Sequence, residues 1–116
     1  MTEQLVEMRS IEELKEALQE SFEHPVLLFK HSLTCPISSR AFHELQTYLD
    51  NADPNTRYRL IKIQNAYGVS KEVASKLGVE HESPQAILVR NGREVWNASH
   101  SSITASSLEE AIGSIR

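Results

Sequence analysis

A short apolar run, Val26 to Phe29, gives way within a few residues to a proline and a long helical pattern, and the chain's single cysteine, Cys35, stands at the join. The run has the length of a buried strand. Downstream, Ile37, Ala41, Leu45 and Leu49 recur at every fourth position, and Phe42 and Tyr48 widen the same face, which is the pattern of an amphipathic helix. Pro36 suits the first helical turn, because its fixed φ matches a helix and its missing N–H had no partner there in any case. Cys35 is therefore predicted at the helix cap, its sulfur close to unpaired backbone N–H groups and to the positive end of the helix dipole. Both favour the thiolate, the nucleophilic form, over the thiol. A reactive sulfur is one consequence of that placement. A buried structural cysteine is the other reading open at this point, since free Cys is among the most buried residue types.

The rest of the chain arranges itself around this junction. Ser10 to Phe22 reads as a packing helix, with Ser10 and Glu13 forming a capping box and Ile11, Leu14, Leu18 and Phe22 facing inward. His24-Pro25 ends it. Val26 to Lys30 is the first strand, the helix from Pro36 runs to about Asp50, and Asn51 to Asn55 is turn chemistry. Tyr58 to Ile63 follows as a strand, then a helix from Ser70, its cap, to Leu77, stopped by Gly78. The first two strands, joined by a helix, are expected to be parallel. Gln85 to Arg90 and Glu94 to Trp96 flank Asn91-Gly92, a pair suited to a type I′ hairpin turn. The last helix, Thr104 to Ile115, is capped by Thr104 or by Ser106 with Glu109. One domain over residues 1–116, a three-layer α/β/α sandwich around a mixed four-stranded sheet, is the expected architecture.

Charge and composition narrow the function classes. The net charge is −4 and no Lys/Arg run occurs, which argues against nucleic acid as the main partner. One cysteine allows no internal disulfide and fits a reducing compartment. No apolar signal segment opens the sequence and nowhere do about 18 apolar residues run together, so a cytoplasmic protein without a membrane span is expected. The five histidines are scattered and give no metal-ligand spacing, and the four glycines make no phosphate loop.

Ser83-Pro84 precedes the buried strand of the second half, and a proline there is a candidate cis peptide that would present the Ser83 backbone to an extended peptide or thiol conjugate. The order of elements, with Thr34-Cys35-Pro36-Ile37-Ser38 and a proline before the hairpin, resembles the thioredoxin fold. Within it, Lys30-His31-Ser32 leading into that motif, His81-Glu82-Ser83-Pro84-Gln85-Ala86, and Asn91-Gly92 leading into Val95-Trp96-Asn97 resemble the monothiol bacilliredoxins of the YtxJ family. The resemblance implies a redox-homeostasis and stress-response enzyme. It would reduce mixed disulfides between protein thiols and bacillithiol, a low-molecular-weight thiol, with bacillithiol as co-substrate and no bound cofactor or metal.

The residues agree with a single-thiol mechanism. A dithiol relative would carry a second cysteine where Ser38 stands, and a serine cannot resolve a disulfide, so an outside thiol must release Cys35. Pro36 shapes the cap, Thr34 and Ser38 could hydrogen-bond the sulfur, and Ser83 and Pro84 would hold the substrate edge. His81 either faces the cleft or is an exposed loop residue. Lys30 and His31 could add positive charge, but Lys30 at a strand end reads as a solvated flank. His43, more than two turns past Cys35, reads as surface, and Trp96, Phe42, Tyr48, Tyr58 and Tyr67 as packing residues. Two rival functions carry over: a binding module of the same fold in which Cys35 is inert, and a reductase that uses glutathione or coenzyme A.

Overall fold

Two central strands buried along nearly their whole length, Val26–His31 and Gln85–Arg90, are flanked by amphipathic helices, and the chain resolves this pattern by sandwiching one sheet between two helical layers. The computed structural model describes residues 4–115. In chain order the elements are β1 (Leu5–Glu7), α1 (Ile11–Glu20), β2 (Val26–His31), α2 (Pro36–Leu49), β3 (Arg57–Lys62), α3 (Tyr67–Leu77), β4 (Gln85–Arg90), β5 (Arg93–Ser99), a 3-10 turn (His100–Ser102) and α4 (Ala105–Ile115).

The sheet order is β1-β3-β2-β4-β5. β1, β3 and β2 are mutually parallel, as a helical crossover requires, while β4 runs antiparallel to β2 and β5 antiparallel to β4. All six residues of the central strand β2 are buried. Their side chains alternate between layers: Leu27 and Phe29 join Ala41 and Leu45 of α2 and Leu108 and Ile112 of α4. Val26 and Leu28 join Leu14 and Ala17 of α1 and Val69 and Val73 of α3. Asn91 (φ 57°) and Gly92 (φ 76°) make the tight hairpin turn that their side chains favour. Ser10 and Glu13 close the capping box on α1.

Several expectations need correction. The mixed sheet has five strands, because Leu5–Glu7 adds a parallel edge beside β3; three residues are too few to show an alternating pattern. α3 starts at Tyr67, with Ala66 as its N-cap, so Ser70 lies inside the helix and is fully buried. Thr104 caps α4, but its reciprocal partner is Ser107, whose N–H donates to Thr104 Oγ1 at 2.9 Å, in place of the Ser106–Glu109 box. Phe22 lies beyond the end of α1 and is exposed, as are Ile37 and Tyr67. Lys30 is no solvated flank: the sixfold burial of β2 takes it along, and it is 0 % exposed.

Candidate active site

β2 and β3 end, and β4 begins, at one edge of the sandwich. Lys30 pairs with Gln85 and His31 with Lys62, so Pro84, just before Gln85, and Cys35, just beyond the end of β2, are brought to the same end of the sheet. Cys35 is the N-cap of α2 with φ −105° and ψ 123°, and Pro36 is the first helical residue. The Cys35 carbonyl accepts a hydrogen bond from Ser39 N–H at 3.1 Å. The thiol is half-buried, and its sulfur takes no capping hydrogen bond from the first turn. Cys35 stands at the N-terminal end of α2, which is the partially positive end of a helix.

The approach to Cys35 is fixed from two sides. Ser32 N–H donates to Ser38 Oγ at 2.8 Å. Leu33 N–H donates to Gln64 Oε1 at 3.0 Å, and Gln64 Nε2 donates to Ser32 Oγ at 3.1 Å and to Thr34 Oγ1 at 3.5 Å. Ser38 is fully buried. Its hydroxyl serves Ser32 and, at 2.9 Å, Nδ1 of His31, and not the sulfur as expected. The reason is positional: Ser38 is the third helical residue, where its hydroxyl oxygen accepts from Ser32 N–H and His31 Nδ1 is its second partner. His31 stacks on Phe42 with ring centroids 4.7 Å apart. Burial first, and then the Lys62 cation, push its pKa below the ordinary histidine value. Sequence reasoning missed Gln64, since nothing in a residue just past a strand end reveals that it will reach across to the neighbouring loop.

On the other layer, Lys30 Nζ lies 3.0 Å from Nδ1 of His81, and Ser70 Oγ lies 3.2 Å from the same atom. An ammonium can only donate, so Nδ1 is the acceptor and the proton of the neutral ring sits on Nε2. Burial and then the Lys30 cation lower the His81 pKa, against a smaller opposing effect of Glu82. His81 is thus solvent-exposed yet anchored by one nitrogen. Burial also lowers Lys30, from 10.5 to about 8.

The Ser83–Pro84 peptide is cis. Pro84 is buried, its carbonyl accepts His100 N–H at 3.1 Å, and Ser83 Oγ is buried without a hydrogen-bond partner. A cavity of about 370 Å³ opens between the first turns of α2 and the residues after β5, lined by Ile37, Arg40, Ala41, His100, Ile103 and Thr104 among others. One wall starts two residues from Cys35 and the other is bonded to Pro84. The structure thus brings Thr34, Cys35, Pro36 and Ser38 together in one loop and helix start, with Ser83 and Pro84 at the same sheet end. His81 instead turns its Nδ1 toward the α3 layer. Among the described residues no group of three or more His, Cys, Asp or Glu could hold a metal ion, and no helix is long and apolar enough to cross a membrane.

The fold has known counterparts. The family model described as monothiol bacilliredoxin BrxC matches residues 6–108. A solved structure described as a proposed oxidoreductase with a thioredoxin fold is similar at 33% identity, over 95% of each chain, with a TM-score of 0.84. Thioredoxin of Fasciola hepatica shares the fold at 12% identity, with 96% of this chain and 99% of that one covered and a TM-score of 0.77. Thioredoxin O2 of Arabidopsis thaliana does so at 17% identity, 99% and 96% coverage and a TM-score of 0.74. A thioredoxin-type sandwich, one cysteine at its helix cap and a family match over most of the sequence lead to one assignment: the chain belongs to the monothiol bacilliredoxin family and is a thiol oxidoreductase.

Proposed function

We propose that the chain removes bacillithiol from proteins that carry it as a mixed disulfide. The Cys35 thiolate attacks the bacillithiol sulfur of the conjugate. The S–S bond to the client breaks, the client leaves as a thiolate that takes a proton from water, and a Cys35–bacillithiol disulfide forms. A second bacillithiol, or another thiol reductant, then attacks that disulfide and releases Cys35 as thiolate, so each cycle moves two electrons from outside thiols to the client.

The observation that carries this reading is the half-buried Cys35 at the open end of α2, with Ser38 in place of a second sulfur and its hydroxyl already engaged by Ser32 and His31. An enzyme so built can attack once and must be reset from outside. The buried, unpartnered Ser83 Oγ supports this end of β4 as the edge that meets the substrate, because buried hydroxyls are normally satisfied. Thr34 and Pro36 hold the loop and the cap. The cavity lined by Ile37 and Arg40 is wide enough to take the non-sulfur part of a small thiol. We assign the activity to the cytoplasm, where a lone thiol stays reduced.

Single-turnover release of a client thiol tests the substrate. The same client is loaded with bacillithiol, glutathione or coenzyme A and mixed with excess enzyme. Release from the bacillithiol conjugate should be at least about tenfold faster than from the other two, about 1.4 kcal/mol of discrimination. Equal rates would retire bacillithiol as the preferred partner, and no release from any conjugate would leave the inert binding module.

A further inference from the structure

The cavity at the start of α2 carries one charged group without a counterpart. α2 lays Ile37, Arg40, Ala41 and Glu44 along it, three or four residues apart and so on one helix face. The chain after β5 supplies the opposite wall with His100 and Ile103. Ile37, Ala41 and Ile103 make much of the lining apolar, and two of its three titratable groups are engaged. Glu44 Oε1 accepts the N–H of Ala105, the first residue of α4, at 2.8 Å. His100 Nε2 lies 3.7 Å from Glu82 Oε1. Arg40 is exposed, and no ion pair among the described residues includes it. Other cations toward this end of the sheet are occupied: Lys62 Nζ lies 3.6 Å from Glu7 Oε1, and Lys71 Nζ stands 5.6 Å from the centre of the Tyr67 ring.

Both walls are tied to the reacting end of the molecule. Cys35 caps the helix whose second residue, Ile37, begins the cavity. Arg40 follows a little more than one turn later, about 7.5 Å along the axis, and a helical side chain leans back toward the N-terminus, here toward Cys35. On the far wall His100 holds a left-handed backbone, φ 54°, and its N–H donates to the Pro84 carbonyl at 3.1 Å. Such strain persists where the surroundings fix it, and here it fastens the wall to the substrate edge. We propose that Arg40 is a specificity residue: its guanidinium pairs with a carboxylate of the small thiol that Cys35 takes up, while Ile37, Ala41 and Ile103 cover the apolar part. The proposal rests on Cys35 being the attacking sulfur and adds a charge requirement to it. A planar guanidinium suits a carboxylate, and the chain's net charge of −4 otherwise disfavours an anion. Because Arg40 faces solvent, the pairing should favour an anionic thiol about three- to fivefold, and salt should weaken it.

Attack of Cys35 on two small disulfides, dithiodiglycolate and 2-hydroxyethyl disulfide, tests this without bacillithiol. In each, the Cys35 thiolate bonds to one sulfur, the S–S bond breaks and the other half leaves as thiolate. The first probe carries carboxylates and the second is neutral. The ratio of their rates therefore isolates the charge of the probe and cancels any change in Cys35 itself. Arg40→Gln should lower the anionic-to-neutral ratio about three- to fivefold. Arg40→Lys, which keeps a point charge, should stay within about twofold of wild type. Arg93→Gln, at the hairpin end of β5, should leave the ratio unchanged. The wild-type ratio should fall with added salt, and more steeply than that of Arg40→Gln. A ratio that Arg40→Gln does not lower, or that Arg93→Gln lowers equally, overturns the proposal. Bacillithiol disulfide and glutathione disulfide then separate the sources of the carboxylate. A larger loss of rate on bacillithiol disulfide in Arg40→Gln assigns the paired group to bacillithiol. Equal wild-type rates on the two, with the charge ratio still dependent on Arg40, would retire bacillithiol as the preferred partner and keep Arg40.

Discussion

Replacing Lys30 by methionine should make the protein more stable at neutral pH. The side chain is fully buried, and burial lowers its pKa from 10.5 to about 8. At about 1.4 kcal/mol per pH unit, that difference means the charged form weakens the fold by up to about 3 kcal/mol. Methionine fills nearly the same volume without a charge, and the lost hydrogen bond to His81 offsets about 1 kcal/mol. The expected net gain for Lys30→Met at pH 7 is therefore about 1 to 3 kcal/mol. The sign with pH follows from proton counting. Below about pH 8 Lys30 is protonated in both states, and the full penalty applies. Between about 8 and 10.5 the unfolded chain holds a proton that the folded one has lost, so wild-type stability rises relative to the variant. Urea denaturation of both proteins at pH 7, 8, 9 and 10 measures this. The advantage of Lys30→Met should shrink steadily over that range. A variant less stable than wild type at pH 7, or an advantage that does not change with pH, would refute the reasoning.

Other perturbations follow from the loop around Cys35. Ser38→Ala strips Ser32 N–H and His31 Nδ1 of their shared partner. It should lower stability by about 1 to 3 kcal/mol in urea titrations, and no measurable loss would mean the buried hydroxyl is not structural. Gln64 is exposed yet holds three groups of the 32–34 loop. Gln64→Ala should leave stability within about 1 kcal/mol while slowing disulfide attack by about tenfold or more through a misplaced sulfur; stopped-flow single turnover would detect it. Ser83→Ala removes a buried hydroxyl that has no partner. Its stability should stay within about 0.5 kcal/mol of wild type while KM for a bacillithiolated client rises with kcat little changed. A rise in neither parameter would remove Ser83 from the substrate edge.

Legibility in the sequence tracked the range of the interaction. Where the chemistry is local the residues announced it: Pro36 after Cys35 placed the helix start, Ser10 and Glu13 the capping box, and Asn91-Gly92 the hairpin turn. The proline before β4 stood out because few residue types tolerate a cis peptide there. What the sequence did not show depends on distant segments. Lys30 reads as a strand-end charge until α3 and the 78–84 loop are folded over it, and His81 reads equally as a cleft residue or an exposed loop residue until Lys30 and Ser70 converge on one nitrogen. Ser70 looks like a helix cap, yet the helix extends a turn earlier because Ala66 and Val69 have a core to enter. Ser38, correctly singled out by its place three residues after Cys35, was read as a partner of the sulfur, because the donor above it belongs to a loop whose path only the fold determines. β1 is too short for periodicity and exists through its pairing with β3.

Intact-mass spectrometry of the protein mixed with a bacillithiolated client, quenched by acid within the first turnover, measures the chemistry most directly. The wild-type chain should gain the mass of one bacillithiol on Cys35, matched by loss of that mass from the client, and Cys35→Ala should gain nothing. A client that sheds bacillithiol while Cys35 stays unmodified, or a mass gain equal to the client itself on Cys35, would contradict attack on the bacillithiol sulfur.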